Sequence, residues 1–242
     1  MEDKGKTMKL VVGLGNPGNE YEDTRHNAGF RVMDLLGAEY GADFRKKSSF
    51  FGASYDYAKV REGNLEIILM KPLTYMNLSG SAVKGGLDWF KIKKNDLLLV
   101  HDDVSLPLGK IRVQRGGGAG GQHGVESVIE HLKGDKNFNR IKVGVGPDPG
   151  GHIRAQYVLQ SVPEKDVELY KKVLELTANC IKFILKHGVE RAANKYNGID
   201  LANPKPPKQS RKNELQKPLD NDKPSEKGKP ASPGGENEST SN

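Results

Sequence analysis

The sequence predicts a single α/β domain in which helices flank a twisted, mixed central β-sheet. Three observations carry that expectation. Short β-branched and apolar runs recur along the chain. Stretches with helical apolar spacing alternate with them. At 242 residues the chain is long enough for one well-cored domain plus a tail. Residues 8–200 are expected to fold, with 1–7 as a flexible N-terminal extension. Residues 201–242, rich in Pro, Lys, Ser, Asn and Glu and poor in large apolar side chains, are expected to form a disordered charged tail.

Taken in order, residues 9–14 read as a buried strand that ends among Gly13, Gly15, Pro17 and Gly18. Residues 28–40 read as a helix with Phe30, Met33 and Leu36 facing inward. Residues 53–60 and 65–70 form a strand pair around a Glu62-Gly63-Asn64 turn. Residues 79–90 are helical, though weakened by Gly85 and Gly86. Residues 97–101 and 110–114 read as strands, 125–132 as a helix and 140–145 as a further strand. A long amphipathic helix at 163–186 and a short one at 189–196 close the domain.

Composition narrows the function only a little. An excess of 38 Lys and Arg over 31 Asp and Glu gives +7, compatible with a polyanionic partner or with an ordinary solvated surface. One cysteine, Cys180, excludes an intramolecular disulfide framework and a cysteine zinc cluster; its place in an apolar helical rhythm makes it a core residue. Residues 1–7 carry no apolar run and no stretch approaches membrane-spanning length, so a cytoplasmic protein is expected.

Several segments carry candidate chemistry. Gly13 to Gly18 matches G-x-G-x-x-G after a strand, which would suit a dinucleotide. The polar stretch at 19–27 lacks the helix that motif needs at its phosphate end. His26 stands just before a helix, where a cap or surface role is ordinary. Residues 97–103, LLLVHDD, end an apolar strand in His101, Asp102 and Asp103. A carboxylate there could orient a histidine, or cap the following turn. Asn77, in KPLTYMNLSG, is either a helix cap or an amide offered to a ligand. Residues 114–124, QRGGGAGGQHG, form a glycine-rich loop. Arg112, Arg115, Arg140 and Lys142 lie around it in sequence as a possible basic rim for phosphate.

In that order, GLGNPGNEY, TRHNAG, KPLTYMNLSG, HDDVSLPLG, RGGGAGGQHGVESV and FNRIKVGVG resemble the bacterial-type peptidyl-tRNA hydrolase family from about Lys9 to Asn197. The resemblance implies a monomeric α/β hydrolase that cleaves the ester between a peptide and the 3′ ribose of tRNA, without metal or cofactor. It implies His26 as general base, Asp102 as its orienting carboxylate, and Asn16, Tyr21, Tyr75, Asn77, Gly120 and His123 as substrate-binding residues. Arg115, Arg140 and Lys142 would contact tRNA phosphates. Two departures stand out. Gln122-His123 replaces a usual His-Asn pair, and Gln114 and Lys142 occupy the positions of a usual lysine and arginine. The alternatives are a non-catalytic RNA-binding relative, of the kind recruited to splicing complexes, and a dinucleotide-dependent enzyme.

Overall fold

In the computed structural model, residues 8–48 and 53–204 are described. The expected N-terminal extension lies outside them, as does the expected tail from residue 205 onward. Seven strands form one mixed sheet: β1 (Met8–Gly13), β2 (Arg45–Ser48), β3 (Ser54–Glu62), β4 (Leu65–Pro72), β5 (Leu97–Pro107), β6 (Ile111–Arg115) and β7 (Asn139–Gly146). Their order is β2-β3-β4-β1-β5-β7-β6. The inner strands β4, β1, β5 and β7 run parallel, while β2, β3 and β6 are antiparallel to their neighbours.

The inner strands are apolar on both sides because both faces are covered. Val11, Leu98 and Val100 face α1 (Ala28–Glu39), α5 (Glu164–His187) and α6 (Val189–Tyr196), in a core that also buries Cys180. Leu10, Val12, Leu97 and Leu99 face α2 (Ser79–Trp89) and α3 (His123–His131). After β1 the chain leaves through α1 and reaches β4 on one side of β1; after α2 it enters β5 on the other. That reversal opens a crevice at the carboxyl ends of β1 and β5, where open α/β sheets hold ligands.

A close backbone contact fixes the crevice. A Cβ on Gly13 would lie 2.1 Å from the Gly29 carbonyl oxygen, and one on Gly29 would lie 2.4 Å from the Leu14 nitrogen and 2.6 Å from the Val100 oxygen. The first turn of α1 therefore rests directly on the ends of β1 and β5. The glycines around residues 13–18 serve this packing. Residues 19–21 and 25–27 form single 3-10 turns, and no α-helix opens on Gly18 to receive a pyrophosphate.

The structure departs from the sequence reading in three elements. β2 escapes the pattern because Arg45-Lys46-Lys47-Ser48 is an exposed, charged edge strand with no apolar alternation. β5 continues past His101 to Pro107, since pairing with β7 carries the polar residues along. The five-residue α4 (Arg154–Val158) has no buried face and so no apolar signature. At the opposite edge, Asn197 pairs with β6 as another strand would. Its Oδ1 accepts from the Val113 N–H at 2.7 Å, and its Nδ2 donates to the Val113 carbonyl at 3.0 Å. Leu201 packs on the core and donates its N–H to the Gly109 carbonyl.

Gly29→Ala should destabilise the domain by about 1–3 kcal/mol through backbone overpacking. Gly198→Ala, where a Cβ meets nothing within 4 Å, should leave stability almost unchanged. Urea denaturation of the two variants beside the parent measures the difference.

Candidate active site

His26 sits in the 3-10 turn Arg25–Asn27 that leads into α1, over the end of β5. Its Nδ1 lies 2.9 Å from Oδ2 of Asp102, a β5 side chain that is only 2 % exposed. The other carboxylate oxygen accepts from Nε2 of Gln122 at 3.0 Å. Gln122 is itself held at the N-cap of α3, where its Oε1 accepts from the Val125 N–H at 2.8 Å. One amide thus spends its oxygen on a helix end and its nitrogen on the buried acid. Because Nδ1 donates to Asp102, the imidazole presents Nε2 to the cleft that His26 lines.

The electrostatics follow from burial and pairing. Burial pulls the His26 pKa down, but the charge of Asp102 and its hydrogen bond more than offset this, leaving the imidazole raised above its ordinary value. Burial pushes Asp102 up; His26 and the Gln122 amide outweigh it and hold the carboxyl below the usual range. The neighbouring His101 differs. Burial brings it down to about 4, and its Nδ1 donates to the Asp102 main-chain oxygen at 2.7 Å. His101 is therefore a neutral strut. Asp103 makes a local bond within β5, accepting from the Ser105 N–H at 2.9 Å, while its other oxygen accepts from Lys142 Nζ at 2.8 Å.

Asn16 follows β1 and is fixed on three sides. Its N–H donates to Asn27 Oδ1 at 2.8 Å, its carbonyl accepts from Asn27 Nδ2 at 3.0 Å, and its side-chain oxygen accepts from the Met76 N–H at 2.7 Å. That last bond turns the amide NH2 toward the cleft. Asn77 caps no helix, since Leu78 holds the N-cap of α2; its side chain is exposed on the cleft wall. Tyr75, Gly120 and His123 line the same cleft, whose volume is about 770 Å³. An immobilised amide donor, a raised imidazole and a paired carboxylate on one wall can activate water and stabilise an oxyanion. Among the described residues, no group of three or more His, Cys, Asp or Glu side chains could hold a metal ion.

Other expected residues lie elsewhere. Tyr21 is half-buried in the turn Asn19–Tyr21 and does not line the cleft; its carbonyl accepts from the Thr24 hydroxyl at 2.7 Å. Arg115 is exposed away from the cleft, with Nε bound to Asn137 Oδ1 at 2.9 Å. Arg140 is fully buried. It stacks 4.5 Å from the Phe138 ring centre and donates to the carbonyls of Gly117 and Gly118, so it holds the glycine loop from below and offers no surface charge. Sequence reasoning missed Asn27 as the lock on Asn16. It also missed Arg25, whose guanidinium donates to the carbonyls of Tyr157, Gln160 and Ser161 and anchors the end of α4 with the residues after it. That segment lines the cleft with Val158 and Leu159. The TRHN run is the one local signal that could have marked both residues.

Comparison with known proteins bears on what such a site does. The family model described as peptidyl-tRNA hydrolase matches residues 10–206. The chain is similar to the peptidyl-tRNA hydrolase of Clostridium novyi strain NT, with 42% identity over 192 residues, covering 79% of this chain and 99% of the relative. It is 41% identical over 194 residues to that of Clostridium botulinum strain Hall, covering 80% and 99% of the two chains. A crystal structure of peptidyl-tRNA hydrolase from Acinetobacter baumannii superposes with a TM-score of 0.73 at 30% identity, covering 81% of this chain and 97% of the other.

By NMR, the His26 ring should titrate above its ordinary value of about 6.5. In Asp102→Asn the midpoint should fall, because burial then acts without the opposing charge. A midpoint unmoved by that substitution would separate the two residues electrostatically.

Proposed function

The chain belongs to the peptidyl-tRNA hydrolase family, and from that premise we propose that it hydrolyses the ester joining a peptide to the 3′ ribose of tRNA, returning free tRNA and peptide. The observation that carries the reading is the 2.9 Å contact between His26 Nδ1 and Asp102 on the wall of the cleft. In this mechanism His26 Nε2 takes a proton from water as its oxygen attacks the ester carbonyl. The Asn16 amide donates to the oxyanion that develops. Asp102 keeps the ring in its Nδ1–H tautomer and offsets the imidazolium charge. As the tetrahedral intermediate collapses, the imidazolium returns its proton to the departing ribose oxygen.

Asn77 meets the peptide backbone next to the ester. An amide there favours a substrate with a peptide carbonyl, to which its NH2 donates, over free aminoacyl-tRNA, which has a charged amine in place of that carbonyl-bearing amide. Tyr75, Gly120 and His123 complete the substrate contacts, with Tyr21 outside the cleft wall. Base, orienting acid and amide donor suffice for ester hydrolysis, so the reaction calls for no metal or cofactor. On this reading the protein acts as a monomer on tRNA in the cytoplasm, as the family resemblance implies. Lys142, flanking the cleft through Asp103, and the exposed Arg115 supply the phosphate contacts. They position the acceptor stem without reading its sequence.

His26→Ala should lower turnover of N-blocked aminoacyl-tRNA by roughly two to four orders of magnitude with the fold intact. Near-normal turnover would remove His26 as the base, and RNA binding without turnover in the parent would favour a non-catalytic binding protein. Lys142→Ala should weaken tRNA binding and reduce the slope of log affinity against log salt by roughly one. An unchanged slope would remove Lys142 from the phosphate contacts.

A further inference from the structure

Exposed large apolar side chains are few among the described residues, and their placement is uneven. They are Tyr75, Leu78, Trp89, Ile153 and Leu159, each between 43 and 59 % exposed. The Trp89 ring is covered by the Lys47 ammonium, 3.4 Å from the ring centre. Of the other four, Tyr75, Leu78 and Leu159 line the cleft, and Ile153 directly precedes α4, which borders it. Val158 adds a further apolar side chain to the same wall. Exposed apolar surface concentrated at a cleft marks what the cleft holds.

The carboxylates and the guanidinium on that wall are already committed. Asp102 is bound to His26, Asp103 to Lys142, and the Arg154 guanidinium makes two bonds to Asp148. A charged substrate side chain entering here would lose water and find no unpaired carboxylate or guanidinium on that wall, whereas an apolar one would cover exposed leucine.

We propose that Leu78 and Leu159 form an apolar subsite selecting peptides with bulky, uncharged side chains in their last two residues. This deepens the hydrolase reading and rests on it. The ester lies at His26 and Asn16, and the peptide leaves past Asn77, whose turn also carries Tyr75 and Leu78. The side chains nearest the ester therefore meet Leu78, and Val158 at the end of α4 and Leu159 just after it line the same cleft.

The test uses one tRNA body carrying N-acetyl-Leu-Leu, N-acetyl-Gly-Gly, N-acetyl-Asp-Asp or N-acetyl-Lys-Lys, so that contacts to the 3′ nucleotide are common to all four. The expected kcat/KM for the leucine ester exceeds that of each other ester by about tenfold, mainly through KM. In the Leu78→Ser/Leu159→Ser double variant the leucine-to-glycine ratio should fall to about two or below. Equal kcat/KM across the four esters, or a leucine preference intact in the double variant, would overturn the subsite while leaving the hydrolase reading in place. Failure to cleave any of the four would remove both.

Discussion

A carboxylate taken almost wholly out of water must find partners for both of its oxygens, and Asp102 is such a group. One oxygen faces His26, carried on the turn before α1; the other faces Gln122, at the cap of α3. Two segments far apart in the chain are thereby tied to one side chain on β5. Moving either of them would leave a buried charge short of a hydrogen bond. The same requirement explains how glutamine works where the family usually has histidine. It can saturate Asp102 through its nitrogen while its oxygen serves the α3 backbone, and it does so without adding a titrating group.

That arrangement depends on backbone proximity that only small residues allow. Gly13 and Gly29 let α1 start in contact with the strand ends, which sets the height of His26 above the sheet. Asn27, next to His26, grips both the N–H and the carbonyl of Asn16, so His26 and Asn16 share one rigid corner. Arg25, on the other side of His26, reaches three carbonyls at residues 157, 160 and 161. A run of three residues therefore connects His26 to Asn16 and to the end of α4 with the residues after it.

The elements that announced themselves in the sequence are those whose burial follows a regular period. β1, β4 and β5 read as apolar runs, and α5 as an amphipathic helix, because tertiary packing and local pattern agree there. β2 and α4 did not, since neither buries a continuous face and both draw their order from neighbours. For the site, residue type and position near strand ends marked Asn16, His26, Asp102 and Asn77, while the family resemblance supplied their pairing. Charge alone misled at Arg140: a guanidinium two residues from Lys142 looks like a rim cation, yet Gly117 and Gly118 offer it carbonyls inside the fold. Glycine-rich loops expose backbone acceptors that composition does not reveal, and a buried arginine is a natural partner for them.

The two margins of the sheet are closed by different means. Repelling lysines and arginine guard β2, whereas β6 is stoppered by the carboxamide of Asn197. The stopper is translated more than eighty residues after the strand it covers. While a nascent chain is still emerging, that margin stands open to any unpaired strand nearby. It is shut only when Asn197 arrives, near the end of the described residues, so protection of this seam waits on the C-terminal part of the described fold.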